Sequence, residues 1–255
     1  MIEIYKKKYE TCLDALEQLR LDRPELQNET LSYNGILDPM AEGVLPILVG
    51  SDENKRRDEF TGSKKMYKVG VLIGISTDSS DLLGIVNTDK ETHTIIDTQK
   101  TINTFLSGPR KFNQTVPMHS NRKVDGKRLW WWILNGVTIP KEKRPVNAVE
   151  IIDILYHSSS TLSIEELFKE VNLMEINIGQ RFRLEKVIAS WRTFLLGNHS
   201  EEFVILNFEL YVTSGFYVRT FVEDISNRIS IPMMVFSLKR TKVIFANPHT
   251  PSAVQ

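Results

Sequence analysis

Residues 31–50 constrain the fold more than any other segment, because glycine and proline interrupt an otherwise apolar stretch every few residues. These positions are Gly35, Pro39, Gly43, Pro46 and Gly50. Both residue types are typical of turns and irregular backbone. The segment therefore predicts a shaped loop that leads into the short apolar run VLPILV.

An acidic residue, Asp38, lies inside this loop between Leu37 and Pro39. Because proline disfavours the helical region for the residue before it, we expect Asp38 to be extended and presented by the loop. Without further context, an aspartate here is better explained as an Asx turn or a helix cap than as a catalytic group. Partial burial would also require a cationic partner for its carboxylate.

The composition indicates a globular protein whose 255 residues can bury a sizeable core. The 32 basic residues balance the 32 acidic ones and 41% of residues are hydrophobic, which excludes a disordered chain and a histone-like polycation. Cys12 is the only cysteine, so an intrachain disulfide and a CxxC zinc site are excluded. The N-terminus has no signal-peptide pattern, and the apolar runs are too short to cross a membrane. We therefore expect a reduced, cytoplasmic protein with no membrane partner.

Hydrophobic periodicity predicts strands and helices in no strict alternation, which favours an α+β domain. Strands are predicted at 66–75, 149–156 and 203–213, and helices at 9–19, 187–195 and 218–225. A short strand followed by a helix is predicted at 93–106. Ser163 and Glu166 form a capping-box pattern that opens another helix. Residues 107–128 are rich in Gly, Pro, Asn, Lys and Arg, and predict a long functional loop rather than a core element.

Generic catalytic motifs are absent from the sequence, which has no GxGxxG, Walker, HExxH or GxSxG pattern. The five histidines are scattered and form no HxH or HxxxH pair. They are therefore interpreted as surface or loop residues, and no metal site is predicted.

The loop at residues 34–46, NGILDPMAEGVLP, resembles the signature G-x-L-D-P-x-A-x-G-V-L-P of the TruB-type tRNA pseudouridine synthases. Further segments resemble motifs of the same family in the same order. They are residues 65–67 (KMY), 74–84 (GISTDSSDLLG), 114–129 (QTVPMHSNRKVDGKRL), 214–220 (SGFYVRT) and 237–241 (SLKRT). The ordered motifs cover most of residues 30–242, so chance agreement is excluded as an explanation.

The resemblance implies a catalytic α+β domain with a mixed, mostly antiparallel central sheet flanked by helices and crossed by a cleft. It implies that the T-loop uridine of tRNA (uridine-55) is flipped out and isomerised to pseudouridine, with no metal or cofactor. Asp38 matches the catalytic aspartate, which acts at the sugar by forming an adduct or by abstracting a proton. A carboxylate suits this step, because cleavage of the glycosidic bond builds positive character at the anomeric carbon.

Two further catalytic residues, Tyr67 and Arg219, are implied by the resemblance. Tyr67 matches the tyrosine that stacks on the flipped base. Arg219 matches the arginine that pairs with the aspartate and keeps it ionised. Without the Asp38 motif, Tyr67 would be interpreted as a core residue of a strand. The alternative for Arg219 is a surface arginine in the first turn of a helix, which its apolar neighbours Val218, Phe221 and Val222 disfavour.

Substrate-binding residues are predicted around this centre. Leu238 matches a leucine of the active site, although core packing explains it nearly as well. Lys55 matches a lysine of the family's G-x-A-T-K element if one residue is inserted, with Asn54 as the alternative. Residues 107–130 correspond to the loop that closes over RNA. Phosphate contacts are predicted there, with a solvated face as the alternative, for Arg110, Lys111, Arg122, Lys123, Lys127 and Arg128.

The sequence departs from the family pattern at several positions. Tyr33 replaces a histidine five residues before the aspartate, and we expect it to contact the flipped nucleotide by stacking. The N-terminal K-P-x-G-x-T-S element is degenerate at residues 6–12 (KKKYETC), and His119 replaces the usual tyrosine.

One catalytic domain is expected over residues 1–245, followed by a short tail at 246–255. The tail is too short for the PUA-like RNA-binding module that normally follows in this family. A two-helix insertion is predicted at 157–200. Its acidic first helix favours bracing of the sheet over contact with tRNA.

Two alternatives stay open beside a stand-alone, monomeric tRNA pseudouridine synthase. The departures at Tyr33 and at residues 6–12 are compatible with a non-catalytic tRNA-binding folding helper, although the presence of Asp38, Tyr67 and Arg219 together argues against it. The second alternative is a pseudouridine synthase that acts on a different RNA, as do the dyskerin-like relatives that use guide RNA.

The neutral net charge conceals an uneven distribution. Residues 54–68 contain six basic and two acidic side chains, residues 106–128 six and one, and residues 237–244 three and none. Each of these segments contains or adjoins a family motif. We therefore expect a basic cleft on a neutral body, and RNA binding that weakens as the salt concentration rises.

Overall fold

The computed structural model describes residues 1–60, 62–88, 97–178, 181–197 and 202–245. The strands are β1 (Ile2–Lys6), β2 (Leu31–Tyr33), β3 (Glu42–Val49), β4 (Lys64–Ile73), β5 (Lys111–Thr115), β6 (Lys123–Val124), β7 (Lys127–Arg128), β8 (Val146–Ser163), β9 (Glu202–Val212) and β10 (Met233–Ile244). The helices are α1 (Cys12–Asp22), α2 (Gly50–Lys55), α3 (Thr98–Ser107), α4 (Leu129–Leu134), α5 (Ile164–Ile178), α6 (Leu184–Gly197) and α7 (Val218–Ile229). Within these ranges, no helix has the length and apolar character needed to cross a membrane.

Seven strands form the central sheet in the order β1-β3-β10-β4-β9-β8-β5, and β2 adds to it by pairing with β3. The pairings are antiparallel except for that of β3 with β10, which is parallel. The predicted α+β fold with a mixed, mostly antiparallel sheet flanked by helices is thus confirmed. In the parallel pair Gly43 lies opposite Arg240, so two motifs from the two ends of the sequence become neighbours.

Each face of the sheet covers its own hydrophobic core, because successive residues of a strand point to opposite sides. On one face Val71 and Ile73 pack with residues of α1, α3 and α7. On the other face Leu72 packs with residues of α5 and α6. The loop before β3 lies over the first core, to which Leu37 contributes.

The predicted capping box at Ser163 is confirmed and fixes the start of α5. The Ser163 amide donates to Glu166 Oε2 at 2.8 Å, and the Glu166 amide donates to Ser163 Oγ at 3.2 Å. Thr11 and Asp14 form the same reciprocal pair at the start of α1. These bonds satisfy amides that a helix leaves without partners at its first turn.

The prediction of one long loop over residues 107–128 was wrong, because β5 within it forms the edge of the central sheet by pairing with β8. The signal was weak because one position of the strand that faces inward is polar. Gln114 is fully buried, yet its side chain donates to the Tyr217 carbonyl at 2.9 Å and accepts from the Tyr217 amide at 2.7 Å. A glutamine satisfied in this way can occupy a core position.

The helical segment predicted from residue 157 begins later, because β8 continues to Ser163 alongside β9. The polar run at residues 157–161 concealed this extension, since every residue of the run is exposed and no buried apolar position marks the strand there. The other predicted strands and helices are present with shifted ends. The predicted tail at 246–255 lies outside the described residues, and so do residues 93–96, where the short strand was predicted to begin. The helix predicted after that strand is present as α3.

Gly43 provides a test of the parallel contact between β3 and β10. Its φ is +115°, and an added Cβ would lie 2.1 Å from the Arg240 carbonyl oxygen. We expect Gly43→Ala to lower the free energy of unfolding by about 3 kcal/mol or more, because backbone must move to admit the methyl group. Urea denaturation monitored by circular dichroism measures this.

Gly126→Ala is the matched control, because Gly126 also has a positive φ, +76°, but no atom lies within 4 Å of the added methyl group. It should cost only about 1–2 kcal/mol, the left-handed backbone penalty. Equal losses in the two variants would contradict the close approach of the strands.

Candidate active site

The loop that carries Asp38 is held from behind by the N-terminal element. The Leu37 amide donates to Cys12 Sγ at 3.3 Å, and the Tyr9 amide donates to the Pro39 carbonyl at 2.7 Å. Lys6, which is fully buried, donates to the Ala41 carbonyl at 2.6 Å. Residues on both sides of Asp38 are therefore fixed by residues 6–12, although that segment departs from the family pattern.

Burial has a cost at Lys6, since it lowers the pKa of this ammonium to about 8. The carbonyls that surround Lys6 replace part of the lost water, as buried charges require. On the opposite side of the loop, Arg240 donates to the Val44 and Gly35 carbonyls at 2.7 and 3.0 Å. Two buried cations thus clamp the backbone before and after Asp38.

Asp38 and Arg219 form the central ion pair of the site, as predicted from the resemblance. Arg219 Nε lies 2.8 Å from Asp38 Oδ2, and its side chain is 3% exposed whereas that of Asp38 is 32% exposed. The carboxylate therefore reaches the cavity while the guanidinium lies beneath it. Charge-assisted hydrogen bonds of this length orient both groups strongly.

Both terminal nitrogens of Arg219 also donate to main-chain carbonyls. Nη1 donates to the Ser79 carbonyl and Nη2 to the His119 carbonyl, each at 3.0 Å. Asp81 Oδ2 lies 3.3 Å from Nε. Burial alone would lower the pKa of Arg219, but the carboxylates of Asp38 and Asp81 raise it above its ordinary value. Arg219 is therefore a permanent cation.

Asp81 is a second carboxylate of this centre that the sequence analysis did not single out. Burial raises its pKa to about 6, against the opposing effect of Arg219. Its Oδ1 accepts from Ser79 Oγ at 2.6 Å and from the Leu83 amide at 2.9 Å. It is fully enclosed, so it acts on Arg219 and not on a substrate.

A cavity of about 400 Å³ opens at Asp38. Six of the predicted site residues line it, namely Tyr33, Asp38, Tyr67, Arg122, Arg219 and Leu238. Tyr67 and Leu238 are both largely buried and also belong to the first core. Leu238 thus contributes to core packing and also lines the cavity. The volume is within the range of small-molecule and nucleotide pockets.

The cavity lining is strongly basic. It contains Arg57, Lys65, Arg122, Arg219 and Arg240, and Asp38 is the one carboxylate among its described residues. Arg219 pairs with both Asp38 and the enclosed Asp81, so the other four cations outnumber the single lining carboxylate. Such a lining attracts an anionic ligand.

Lys65 and Tyr217 also line the cavity. Both belong to segments that resemble family motifs, but the resemblance assigned them no role. Burial, and secondarily the nearby Arg240, lowers the pKa of Lys65 to about 8. Lys65 Nζ donates to the Ser63 carbonyl at 2.7 Å and lies 3.3 Å from Ser214 Oγ. Burial and the charge of Asp38 raise the pKa of Tyr217. Lys65 is thus a lysine of the cavity lining, whereas the predicted Lys55 is not among the lining residues.

Six predicted substrate-binding residues do not line the cavity. Lys55 is 76% exposed on α2, 3.8 Å from Asp52. Its alternative, Asn54, donates to the Thr30 and Gly50 carbonyls and so holds the backbone. The other five are exposed around the sheet edge and the β6–β7 hairpin, namely Arg110, Lys111, Lys123, Lys127 and Arg128. Contacts of these residues with RNA stay predictions. Among the described residues, no cluster of three or more His, Cys, Asp or Glu side chains could hold a metal ion.

Comparison with known proteins identifies the family. Residues 23–169, more than half of the chain, match the family described as TruB family pseudouridylate synthase (N terminal domain). The chain belongs to the TruB family. The matched range includes the Asp38 loop, which Lys6 and Arg240 clamp.

Curated relatives extend the similarity over most of the chain. The tRNA pseudouridine synthase B of Clostridium kluyveri is 33% identical over 156 residues, which are 60% of this chain and 52% of that protein. That of Limosilactobacillus reuteri is 28% identical over 242 residues, 95% of this chain and 66% of the relative. The chain thus spans about half to two thirds of the length of these TruB relatives.

Among solved structures, one chain from the crystal structure of a Cbf5-Nop10-Gar1 complex matches with a TM-score of 0.54 at 13% identity. The match covers 96% of this chain and 50% of that chain. At this identity the likeness supports the shared fold alone.

The ion pairs of Arg219 predict a pH-dependent loss of stability in Arg219→Gln. In the folded protein the pKa of Asp81 is about 6, above its ordinary value of 3.8, so the unfolded chain binds fewer protons and stability falls as the pH rises through this range. Removal of Arg219 raises that pKa further and extends the loss to higher pH.

We expect Arg219→Gln to lower the free energy of unfolding by about 3–5 kcal/mol near neutral pH, because a buried carboxylate loses its counter-ion. The loss should be smaller near about pH 5 than near about pH 8, as urea denaturation at both values would measure. Arg56→Gln, which removes an exposed pair with Glu59, is the control and should show no such trend. Equal losses of Arg219→Gln at both pH values would contradict the coupling to Asp81.

Proposed function

We propose that this TruB-family chain is a tRNA pseudouridine synthase that isomerises the T-loop uridine, with Asp38 as the group that acts at the ribose. The observation that carries the proposal is the partly exposed carboxylate of Asp38, held at 2.8 Å by a buried arginine at the floor of a basic cavity. The names of the curated relatives support the same substrate class.

Asp38 suits chemistry at the anomeric carbon. Breaking the bond between base and ribose builds positive character at C1′, and an ionised carboxylate stabilises it. Arg219 fixes the direction of Asp38 Oδ2, since the guanidinium is itself held by two main-chain carbonyls. A preorganised group of this kind loses little free energy to reorientation during the reaction.

Tyr67 and Tyr33 supply aromatic surface to the flipped uracil. Both line the cavity that contains Asp38. Flipping a base out of its stack costs a few kcal/mol, and stacking on an aromatic side chain returns about 1–3 kcal/mol per base. The two tyrosines therefore compensate much of the cost of presenting the uridine to Asp38.

The basic lining continues onto a surface suited to the RNA backbone. Arg122 lies in the cavity wall, and the β6–β7 hairpin next to it carries the exposed Lys123 and Lys127. Asn121 links the two regions, since it accepts from Arg128 Nη1 at 3.1 Å. We propose that this hairpin contacts T-arm phosphates and that residues 1–245 act as one catalytic domain.

Asp38→Asn tests the chemistry. We expect it to abolish pseudouridine formation in a T-arm transcript, because the amide cannot serve as an anionic nucleophile or base, while binding of the transcript persists. Pseudouridine mapping and a filter-binding titration measure the two properties. Asp52→Asn, at a 94% exposed side chain, is the control and should keep full activity.

Each other outcome of this experiment would contradict the role of Asp38 or favour an alternative function. Near-normal activity of Asp38→Asn would overturn the role of the aspartate. A wild-type protein that binds the T-arm but forms no pseudouridine would favour a folding helper. Modification of other RNAs in preference to the T-arm would favour a pseudouridine synthase with a different substrate.

Lys123→Gln/Lys127→Gln tests the hairpin surface. We expect weaker T-arm binding and a slope of log K against log salt that is shallower by about 1–2, because up to two phosphate contacts are lost. Titrations at several potassium chloride concentrations measure the slope. Lys169→Gln/Lys186→Gln removes the same charge from exposed positions on α5 and α6 and should leave the slope unchanged. Equal changes in both double variants would argue against a contact at the hairpin.

A further inference from the structure

The connection between α5 and α6 carries a guanidinium that reaches the active-site segments. Arg183 lies directly before α6, and its Nη1 and Nη2 donate to Asp78 Oδ2 and Oδ1 at 2.9 and 3.2 Å. Nη2 is also 2.9 Å from His119 Nε2. The side chain of Arg183 is only 16% exposed. One guanidinium therefore joins the turn after β4 to the loop before β6.

The direction of the bond to His119 follows from chemistry. Arginine only donates hydrogen bonds, so Nε2 of His119 is the acceptor and the ring is neutral. Burial is the largest of the effects that lower the pKa of His119 to about 4, and Arg219 and Arg183 add to it against the opposing effect of Asp78. The histidine is thus an acceptor across the neutral pH range.

The two segments that Arg183 joins are the same two that hold Arg219. The Ser79 carbonyl, one residue after Asp78, accepts from Arg219 Nη1, and the His119 carbonyl accepts from Arg219 Nη2. Arg219 in turn donates to Asp38. Arg183 is therefore linked to the carboxylate in the cavity by hydrogen bonds at both ends and by the covalent chain of residues 78–79 and of His119 between them.

Helix α6 fastens the turn after β4 at two more points. Trp191 Nε1 donates to the Leu82 carbonyl at 3.0 Å, and the Val86 amide donates to Ser190 Oγ at 3.2 Å. Trp191 is fully buried. The turn that supplies Ser79 and Asp81 to the active site is therefore built against α6.

The backbone at the start of α6 is also unusual. Phe182 and Arg183 have φ values of +59° and +60°, a region that residues with side chains seldom occupy. Such conformations persist where surrounding contacts enforce them. At Arg183 this conformation is enforced by the two-pronged contact with Asp78 and by the contact with His119.

We propose that Arg183 is a positioning residue of the active site, which fixes the Ser79 and His119 carbonyls that orient Arg219 and, through Arg219, Asp38. This inference rests on the proposed function. It gives the α5–α6 pair the role of a brace for the catalytic centre rather than that of an RNA-binding surface.

Arg183→Met and Arg183→Lys test the proposal in single-turnover assays with a T-arm transcript. We expect Arg183→Met to lower the rate of pseudouridine formation by about 10-fold or more, because misplacement of a catalytic group is costly in rate. Binding of the transcript should change by less than about 2-fold, since Arg183 does not line the cavity. Arg183→Lys keeps the charge but not the fork, so its rate should lie between those of Arg183→Met and the wild type.

Arg192→Met is the matched control, because Arg192 also lies on α6 but pairs with Glu175 inside the helical pair at 2.6 Å. It should leave the rate unchanged. Asp78→Asn combined with Arg183→Met should be no slower than the slower single variant, because both act through one contact.

A rate of Arg183→Met within about 2-fold of the wild type, measured well below its melting temperature, would overturn the proposal. Equal losses of rate in Arg183→Met and Arg192→Met would do the same. If Arg183→Met does not fold, the Arg183→Lys variant decides. A wild-type rate in that variant would contradict a role for the two-pronged guanidinium contact with Asp78. An inactive wild-type protein would overturn the proposed function itself, and the inference with it.

Discussion

The active site depends on one buried guanidinium, that of Arg219. Four groups from three separate segments of the chain pair with it or accept its hydrogen bonds. A buried charge is costly unless it is paired and hydrogen-bonded. Its partners come from the loop before β3, the turn after β4 and the loop before β6, and Arg219 itself lies in the first turn of α7. The sheet order places β3, β10 and β4 side by side and so brings these segments together. The meeting of these segments at α7 is therefore what satisfies the buried charge of Arg219.

The Asp38 loop shows how a degenerate motif can still serve its purpose. Tyr9 occupies the position of the family's glycine with a φ of +69°, which is unfavourable for a tyrosine. Its hydroxyl donates to Glu170 of α5, and Lys8 pairs with the same carboxylate. The amide of Tyr9 nonetheless bonds to Pro39. Contacts with α5 thus stabilise the backbone that the glycine would have adopted freely, which links the N-terminal departure to the presence of the helical pair.

The sequence predicted the pairing of Asp38 with Arg219, but only through the family resemblance. The residues alone indicated only an extended aspartate that would need a cationic partner. That partner, Arg219, lies 181 positions away in the sequence. The class of fold and most elements followed from hydrophobic periodicity. Strand β5 was missed because a satisfied glutamine occupies its buried position. Lys65 was overlooked as a site residue because nothing in a run of lysines shows which one is buried. The bond from Arg183 to Asp78 could not be predicted, since no local pattern specifies a contact across 105 residues.

The cavity also presents a local excess of positive charge on a chain that has no net charge. Burial makes a cation at Lys65 costly, since water no longer solvates it, and the nearby Arg240 adds to the cost. An anionic ligand in the cavity would supply the missing counter-charge and raise the pKa of Lys65 towards its ordinary value. Asp38 does not offset this attraction, because Arg219 balances it from beneath. The acidic residues that neutralise the whole chain lie largely in other segments, so an anionic ligand in the cavity would meet a local excess of cations. Its affinity would then depend on the placement of these charges and not on their sum.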